Sequence, residues 1–426
     1  MEKQLYDIEV YKNYFCVGIK NYLTKEIKFY EISEEKNDVT KIYEWFKNFN
    51  GFLISFNGIH YDNMVIKYFI LNYEKYKDLQ YNEITEDLKY FSDKIINDIY
   101  DDEIKQIKYT KVQWIDIDLF LYWSKMLRMS KKISLKSLGI QLGYPTVQEL
   151  PFKPDTLLQL KDLPKLRHYN TVHDLGILEL LCKEMESEIS LRANISEQYN
   201  LDCWSWDAPK IASEALLQDY CKLTRQNIYS VRKLKFERPT LYLNDCLKGF
   251  DPGFKLPVFK KLWNDVLNSV NGFNETILVT ENNTNLRLSF GIGGLHSVNE
   301  NESYKTNPDL QVITSDIASL YPTLMINYGC LRFPEVLNRY KEVKTERLLA
   351  KKNKDKVKDK FLKLILNSTS GLIDNQHSWL YYPEGAMRLR LIGQLFLTKC
   401  IEVCIINKWQ VVSANTDGKL YKQNAP

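Results

Sequence analysis

The stretch Val312-Ile-Thr-Ser-Asp-Ile-Ala-Ser-Leu-Tyr-Pro-Thr-Leu-Met325 constrains this chain more than any other. Its β-branched run predicts a strand ending in a carboxylate, Asp316. The Ser319-Leu-Tyr-Pro322 turn beyond it starts a helix, and Pro322 suits a first helical turn, where the missing N–H is no loss. Such a strand delivers a charge to its own end. One chemistry for that end is metal-assisted phosphoryl transfer, with the carboxylate on Mg²⁺ and backbone N–H groups of the next turn receiving a triphosphate. A buried strand whose exposed end is Asp is the other reading of the same residues.

A chain of 426 residues suits two to four domains. Its 58 basic and 54 acidic residues leave a net charge of only +4, so any basic surface for a polyanion must be local. The cysteines show no Cys-x-x-Cys pair, which indicates neither a zinc site nor a disulfide framework, and a reducing cytoplasm is the expected compartment. The N-terminus lacks a signal pattern, and the apolar stretch 391–406 is interrupted by Gln394, Lys399 and Glu402, so no membrane span is expected.

Residues 5–11 and 14–19 alternate in polarity around Lys12-Asn13, which predicts a β-hairpin opening a sheet. Period two puts Asp7 and Glu9 on one face. Two adjacent carboxylates repel unless solvent or cations intervene, so the pair is either a metal site or a solvated face. Residues 52–62 predict an apolar strand and a turn carrying Asn57 and Asp62, with a helix from Met64. Residues 114–121 predict another strand, 133–142 a helix closed by Gly143, and 168–181 an amphipathic helix carrying Asp174.

Residues 186–290 hold no motif with a chemical reading. Phe290-Gly-Ile-Gly293-Gly294-Leu-His296 permits close backbone approach to a ligand or another chain, or is a plain glycine turn. From 341 to 363 ten Lys or Arg face four Asp or Glu in a helix-turn-helix pattern turning near Asn353. Lys363 and Asn367 stand four apart, off the apolar stripe of Leu362, Ile365, Leu366 and Leu372. Residues 409–421 predict a β-hairpin turning at Asn415-Thr416-Asp417-Gly418.

Together these segments resemble family B DNA polymerases. Asp316, Ser319, Leu320, Tyr321 and Pro322 match the first catalytic motif, Asp-x-x-Ser-Leu-Tyr-Pro. Lys363-Leu-Ile-Leu-Asn367-Ser-Thr-Ser370-Gly resembles the second, with Ser370 where the family has Tyr. Asn415-Thr416-Asp417 resembles the third, with Asn415 at its first acidic position. Gly293 and Gly294 lie where the family has Tyr-x-Gly-Gly, with the aromatic displaced to Phe290. Upstream, Asp7, Glu9, Asp62 and Asp174 resemble, in order, the carboxylates of DEDD-type 3′-to-5′ exonucleases. That family places a Tyr with three residues between it and the last Asp. Tyr169 has four, which on an α-helix turns it by about 100°. Tyr169, acting from the turn before the helix, and His173 are then the two candidates for orienting the attacking water.

The resemblance implies an α+β, multi-domain chain. It comprises an RNase H-like exonuclease over 1–185, a connecting region and start of palm over 186–300, palm over 301–340, short helical fingers over 341–375, and palm again over 376–426. It implies template-directed attack of a primer 3′ hydroxyl on a dNTP, with two Mg²⁺ ions on Asp316 and Asp417, and two divalent ions at the exonuclease carboxylates. Ser319, Leu320, Tyr321, Lys351, Lys363 and Asn367 would meet the nucleotide, with Tyr321 excluding a 2′ hydroxyl. Asn57, Gly293, Gly294 and Thr416 would meet DNA. The spacing leaves no room for the insertions of protein-primed relatives, so a compact phage-like member working on primer-template DNA is expected. Nine residues follow Asp417; a thumb is expected to be absent here, or encoded as a separate C-terminal polypeptide. The competing expectation is a metal-dependent exonuclease or DNA-binding fragment whose polymerase half is inactive alone.

Overall fold

The computed structural model describes residues 1–98, 101–126, 133–281, 285–298, 310–416 and 418–424. The chain forms two compact units, Met1–Asp207 and Ala208–Pro426.

The first unit is built on β1 (Lys3–Tyr11), β2 (Tyr14–Asn21), β3 (Ile27–Ile32), β4 (Phe52–Ser55) and β5 (Ile115–Asp118), in the order β3-β2-β1-β4-β5. The hairpin expected from the alternation is present, with Tyr11 opposite Tyr14 and Asp7 opposite Gly18. β4 runs parallel to β1, and β5 to β4. Strand periodicity sorts β1 onto two faces. Tyr6, Ile8 and Val10 enter a core with Phe15, Phe46 and Phe69. Leu5 enters a core on the other face with Ile54, Ile117, Leu175 and Leu178. Asp7 and Glu9 share the Leu5 face. Burying Tyr6, Ile8 and Val10, at about 1.5–3 kcal/mol for each large side chain, holds the strand in place despite the repulsion between its two carboxylates. The helix Leu163–His168 is pinned to β3 by Arg167, which grips the buried Glu31 with Nε at 2.7 Å and Nη2 at 2.6 Å.

The second unit holds β6 (Thr276–Val279), β7 (Leu286–Gly291), β8 (Gly294–Ser297), β9 (Leu310–Asp316), β10 (Gln410–Asn415) and β11 (Gly418–Asn424). These form an antiparallel sheet in the order β6-β7-β8-β10-β11-β9. The β10–β11 hairpin thus inserts between β8 and β9, which sets the end of β9 beside the hairpin turn. The helices Pro334–Lys352 and Lys356–Asp374 form the expected helical hairpin. Its turn passes through Asn353 and Lys354, the latter at φ +59°, and Asp355 caps the second helix by accepting from the Lys358 N–H at 3.0 Å. Arg347 joins the two helices through Asp359 at 3.0 Å.

The stretch 391–406 lies in the helix Pro383–Ile406, and its interrupting polar residues are structural ties. Gln394 Nε2 donates to the Gly291 carbonyl at 2.7 Å. Glu402 is fully buried, accepts from the N–H groups of Lys255 and Leu256 at 2.7 Å each, and pairs with Lys399 at 2.6 Å. No described helix is long and apolar enough to cross a membrane.

Candidate active sites

In the first unit the structure brings Asp7, Glu9 and Asp174 together, with one carboxylate oxygen of each within 4.8 Å of the others. Asp62 opens the helix Asp62–Leu71 beyond β4 and is buried. It lies outside that three-residue group, yet its charge acts on both Asp7 and Glu9. Burial pushes the Asp7 and Glu9 carboxyls well up, and the charges of Asp174 and Asp62 add to the rise. Burial also raises Asp62 to about 7, against stabilisation of its anion by its own backbone N–H and that of Ile8. Asp174 is raised to about 6 by burial, and Lys136 and a hydrogen bond from Tyr169 oppose that rise.

The Tyr169–Asp174 spacing has a structural answer. Residues Tyr169–Asp174 form a π-helical turn, in which the Leu175 N–H bonds back to the Asn170 carbonyl. A π turn takes up one extra residue without rotating the next part of the helix out of line, and such turns recur at functional sites. The 100° rotation expected for a regular α-helix therefore does not occur, and the buried Tyr169 stays close enough to Asp174 for its hydroxyl to favour the Asp174 anion. Carbonyls on and beside the turn find side-chain partners: Tyr144 donates to Val172 at 2.6 Å and Thr171 to Arg167 at 2.6 Å. His173 is committed elsewhere, with Nδ1 at 2.8 Å from the Thr146 carbonyl.

Three residues around the site carry no role in the sequence analysis: Asp118, on the face of the sheet opposite Asp7 and Glu9, and Lys136 and Asn170 beside the cluster. Asp118, fully buried, accepts from the N–H groups of Asn57, Ile59 and Phe120 at 2.8, 3.2 and 3.0 Å. It fixes the turn in which Asn57 takes φ +64° and which delivers Asp62. Period two on β5 puts Asp116 and Asp118 on one face of an otherwise apolar strand, the signal that marked Asp7 and Glu9. Lys136 Nζ lies 5.3 Å from the centroid of the Tyr169 ring, and its charge opposes the upward shifts of Glu9 and Asp174. Asn170 donates to Asp7 Oδ2 at 2.8 Å. Nothing in the spacing marks Lys136 or Asn170.

Clustered carboxylate oxygens without nitrogen or sulfur donors suit a hard divalent cation, Mg²⁺ or Mn²⁺, and the mutual repulsion of the four acids is what such a cation would relieve. The effect on stability has a definite sign. Unfolded carboxyls titrate near 4, so between about 4 and 7 the folded chain holds more protons at Asp62 and Asp174, and stability falls as pH rises. The metal-free protein is expected to melt lower at pH 7.5 than at pH 5, with a shallower slope in Asp62→Asn. Mg²⁺ or Mn²⁺ at 100 times its Kd should raise Tm at pH 7.5 by about 5–10 °C and by less at pH 5. Differential scanning calorimetry across that range checks this, and an equal increment at both pH values contradicts it.

In the second unit Asp316 is exposed at the end of β9, with Gly418 of β11 opposite it. Asp417 lies outside the described residues, so the sequence-predicted pair is seen only through its neighbours. Asn415 pairs with Gly418 across the hairpin and with His296 of β8. Thr416 takes φ +50°, donates its N–H to the Leu295 carbonyl at 2.8 Å and its hydroxyl to Asn415 at 3.0 Å. Gly294, at φ +122°, abuts Thr416: a Cβ there would lie 3.2 Å from its hydroxyl. Gly294 thus packs against the Thr416 side chain, and the backbone tie between the two segments is the Thr416 N–H to the Leu295 carbonyl. Gly293 itself is exposed.

After Asp316 the chain turns through Ser319, at φ +53°, into the helix Leu320–Asn327. Leu320 is buried, and Tyr321 is half-buried with its ring beside Gly393, whose added Cβ would lie 3.4 Å from it. Lys344 reaches the Thr323 hydroxyl at 2.8 Å. On the helical hairpin Lys351, Lys363 and Asn367 are all exposed, while Phe361, Leu362, Ile365 and Leu366 fill the buried face. Arg347 is spent on Asp359. Ser370 turns its hydroxyl to the Asn367 carbonyl at 3.1 Å.

This arrangement of two sheets and a helical hairpin is a DNA polymerase-like fold. The family B DNA polymerase of the hyperthermophilic archaeon Pyrobaculum calidifontis is similar over 99% of this chain and 53% of its own, with a TM-score of 0.54 at 13% sequence identity. That identity speaks to the fold alone, and this chain spans about half the length of that polymerase. No family model matches the sequence, and neither does any curated protein.

Proposed function

We propose that the chain is a family B-type DNA polymerase of the compact, phage-like kind, with a 3′-to-5′ exonuclease in its first unit and nucleotidyl transfer in its second. The observation that carries this reading is the Asp7, Glu9 and Asp174 cluster, with Tyr169 on Asp174, in a chain whose whole length takes a polymerase-like fold. The strand order β3-β2-β1-β4-β5, three antiparallel strands followed by two parallel ones, supports an RNase H-like exonuclease within 1–185. The β10–β11 hairpin beside Asp316 supports a palm, and the helical hairpin Pro334–Lys352 and Lys356–Asp374, which begins seven residues before the expected 341, supports fingers.

Divalent ions bound at the exonuclease carboxylates would supply a Lewis acid for the terminal phosphodiester and a water that ionises near neutral pH. Asp7, Glu9 and Asp174 would hold them, with Asp62 completing the charge. The Tyr169 hydroxyl, pushed up by burial and by Asp174, keeps its proton at neutral pH and can orient the attacking water. Lys136 offsets part of the negative charge beside Tyr169. In the second unit Asp316 presents its charge to solvent at the strand end. The exposed cations Lys351 and Lys363, with Asn367, stand ready to meet the charge that builds on a leaving pyrophosphate.

The test is a 5′-labelled primer annealed to a template, incubated with the purified chain and Mg²⁺. Without dNTPs the primer should shorten from its 3′ end; with dNTPs it should lengthen. A primer that neither shortens nor lengthens overturns the whole reading, and shortening without lengthening leaves only the exonuclease. Where extension is seen, Tyr321→Ala should raise ribonucleotide incorporation relative to deoxyribonucleotide by roughly 10- to 100-fold. An unchanged ratio assigns the ring to packing against Gly393.

A further inference from the structure

We propose that Asn170 is a positioning residue for the exonuclease metal site, and that Gly18 is the socket that lets it act. The inference rests on the exonuclease reading above and adds to it a residue outside the four carboxylates.

Asn170 is fully buried. Its Nδ2 donates to Asp7 Oδ2 at 2.8 Å. A carboxylate that holds a cation is ionised and only accepts, so the amide presents its NH₂ group to Asp7 and its oxygen the other way. That oxygen, Oδ1, has no hydrogen-bond partner. It lies over Gly18 of β2, the residue directly opposite Asp7, where an added Cβ would overlap it. An orphaned buried acceptor is uncommon in a folded protein and calls for a reason. Here the reason is orientation. The π turn drops Asn170 onto the sheet between Asp7 and Gly18, and the hydrogen bond to Oδ2 leaves the other Asp7 oxygen free for a cation. A ligand held on its second oxygen keeps one rotamer, and removing such a partner lowers metal affinity by about 10- to 100-fold.

Mn²⁺ alone is the probe, its binding to the full chain followed by electron paramagnetic resonance, with the share removed by Asp7→Ala taken as the cluster's own. Asn170→Ala should weaken that share about 10- to 100-fold and slow 3′-end removal in step. Gly18→Ala should do the same by displacing the amide. The double variant should be no worse than Asn170→Ala, because without the amide the methyl meets only the flexible end of Leu175, Cδ1 at 3.0 Å. Asn170→Leu, similar in shape and without an unpaired oxygen, should keep the parent's Tm in the absence of metal and still lose the affinity. Mn²⁺ affinity within twofold of the parent in Asn170→Ala overturns the inference while the exonuclease stands. Additive losses in the double variant overturn the socket, and unfolding of Asn170→Leu makes Asn170 a structural residue. A parent that binds no Mn²⁺ through Asp7 and removes no nucleotides overturns the exonuclease reading, and this inference with it.

Discussion

Replacing Asp7 and Glu9 together by alanine is expected to slow metal-dependent nucleotide removal from a 3′ end by at least about 10³-fold, since cation stabilisation of the transition state is worth several kcal/mol and each factor of ten about 1.4 kcal/mol. Binding of single-stranded DNA should survive. The two side chains share one face of β1, whose other face is anchored by Tyr6, Ile8 and Val10, so the substitution leaves the core intact. It also removes two of the groups that raise one another's proton affinity. The metal-free double variant should therefore melt no lower than the parent at pH 7.5, and should lose the Mg²⁺ increment in Tm. Single-turnover degradation of a labelled oligonucleotide, beside a melting curve, checks both. Degradation at the parent's rate would move the nuclease centre away from this cluster.

Much of this site is legible in the sequence because strand periodicity is rigid. Alternation along residues 5–11 suffices to put Asp7 and Glu9 on one face, and the structure keeps them there. The helical part is less legible, because the period is not fixed. A regular α-helix through 168–181 turns Tyr169 away from Asp174; the π turn brings it back, and no propensity of Tyr169-Asn-Thr-Val-His-Asp174 announces that turn. Its stabilising partners come from distant residues, Tyr144 on the Val172 carbonyl and Thr146 on His173. Asn170 was hidden for the same reason, since its place over Gly18 comes from the turn and not from spacing. Asp118 differs: β5 carried a readable pair of carboxylates, and its role in holding the Asn57 turn depends on N–H groups roughly 60 residues upstream in the chain. In the second unit the motif strand, the helical hairpin and the β10–β11 hairpin were all readable from local pattern. The contact of Gly294 with Thr416 was not, because it arises only when β8 and β10 become neighbours.

Asp316→Asn should reduce primer extension by about 10³-fold while leaving 3′-end removal unchanged, and the pair of outcomes is more telling than either alone. The substitution keeps the shape of the side chain and removes its charge at the exposed end of β9, where no described core contact depends on it. It lies in the unit Ala208–Pro426, whereas the carboxylate cluster lies wholly in Met1–Asp207. If each unit carries its own chemistry, the losses must separate: Asp7→Ala with Glu9→Ala stops shortening and spares lengthening, and Asp316→Asn does the reverse. On a primer-template with Mg²⁺ and all four dNTPs, the parent balances the two reactions, so the Asp316→Asn chain should shorten primers that the parent extends. That change of direction reads as a band shift on a gel and does not depend on specific activity. Loss of both activities in Asp316→Asn would show that the second unit serves the exonuclease, by holding DNA, and carries no nucleotidyl transfer of its own. Extension at the parent's rate would take Asp316 out of the transfer chemistry and return it to the plain reading of a strand that ends in a solvated carboxylate.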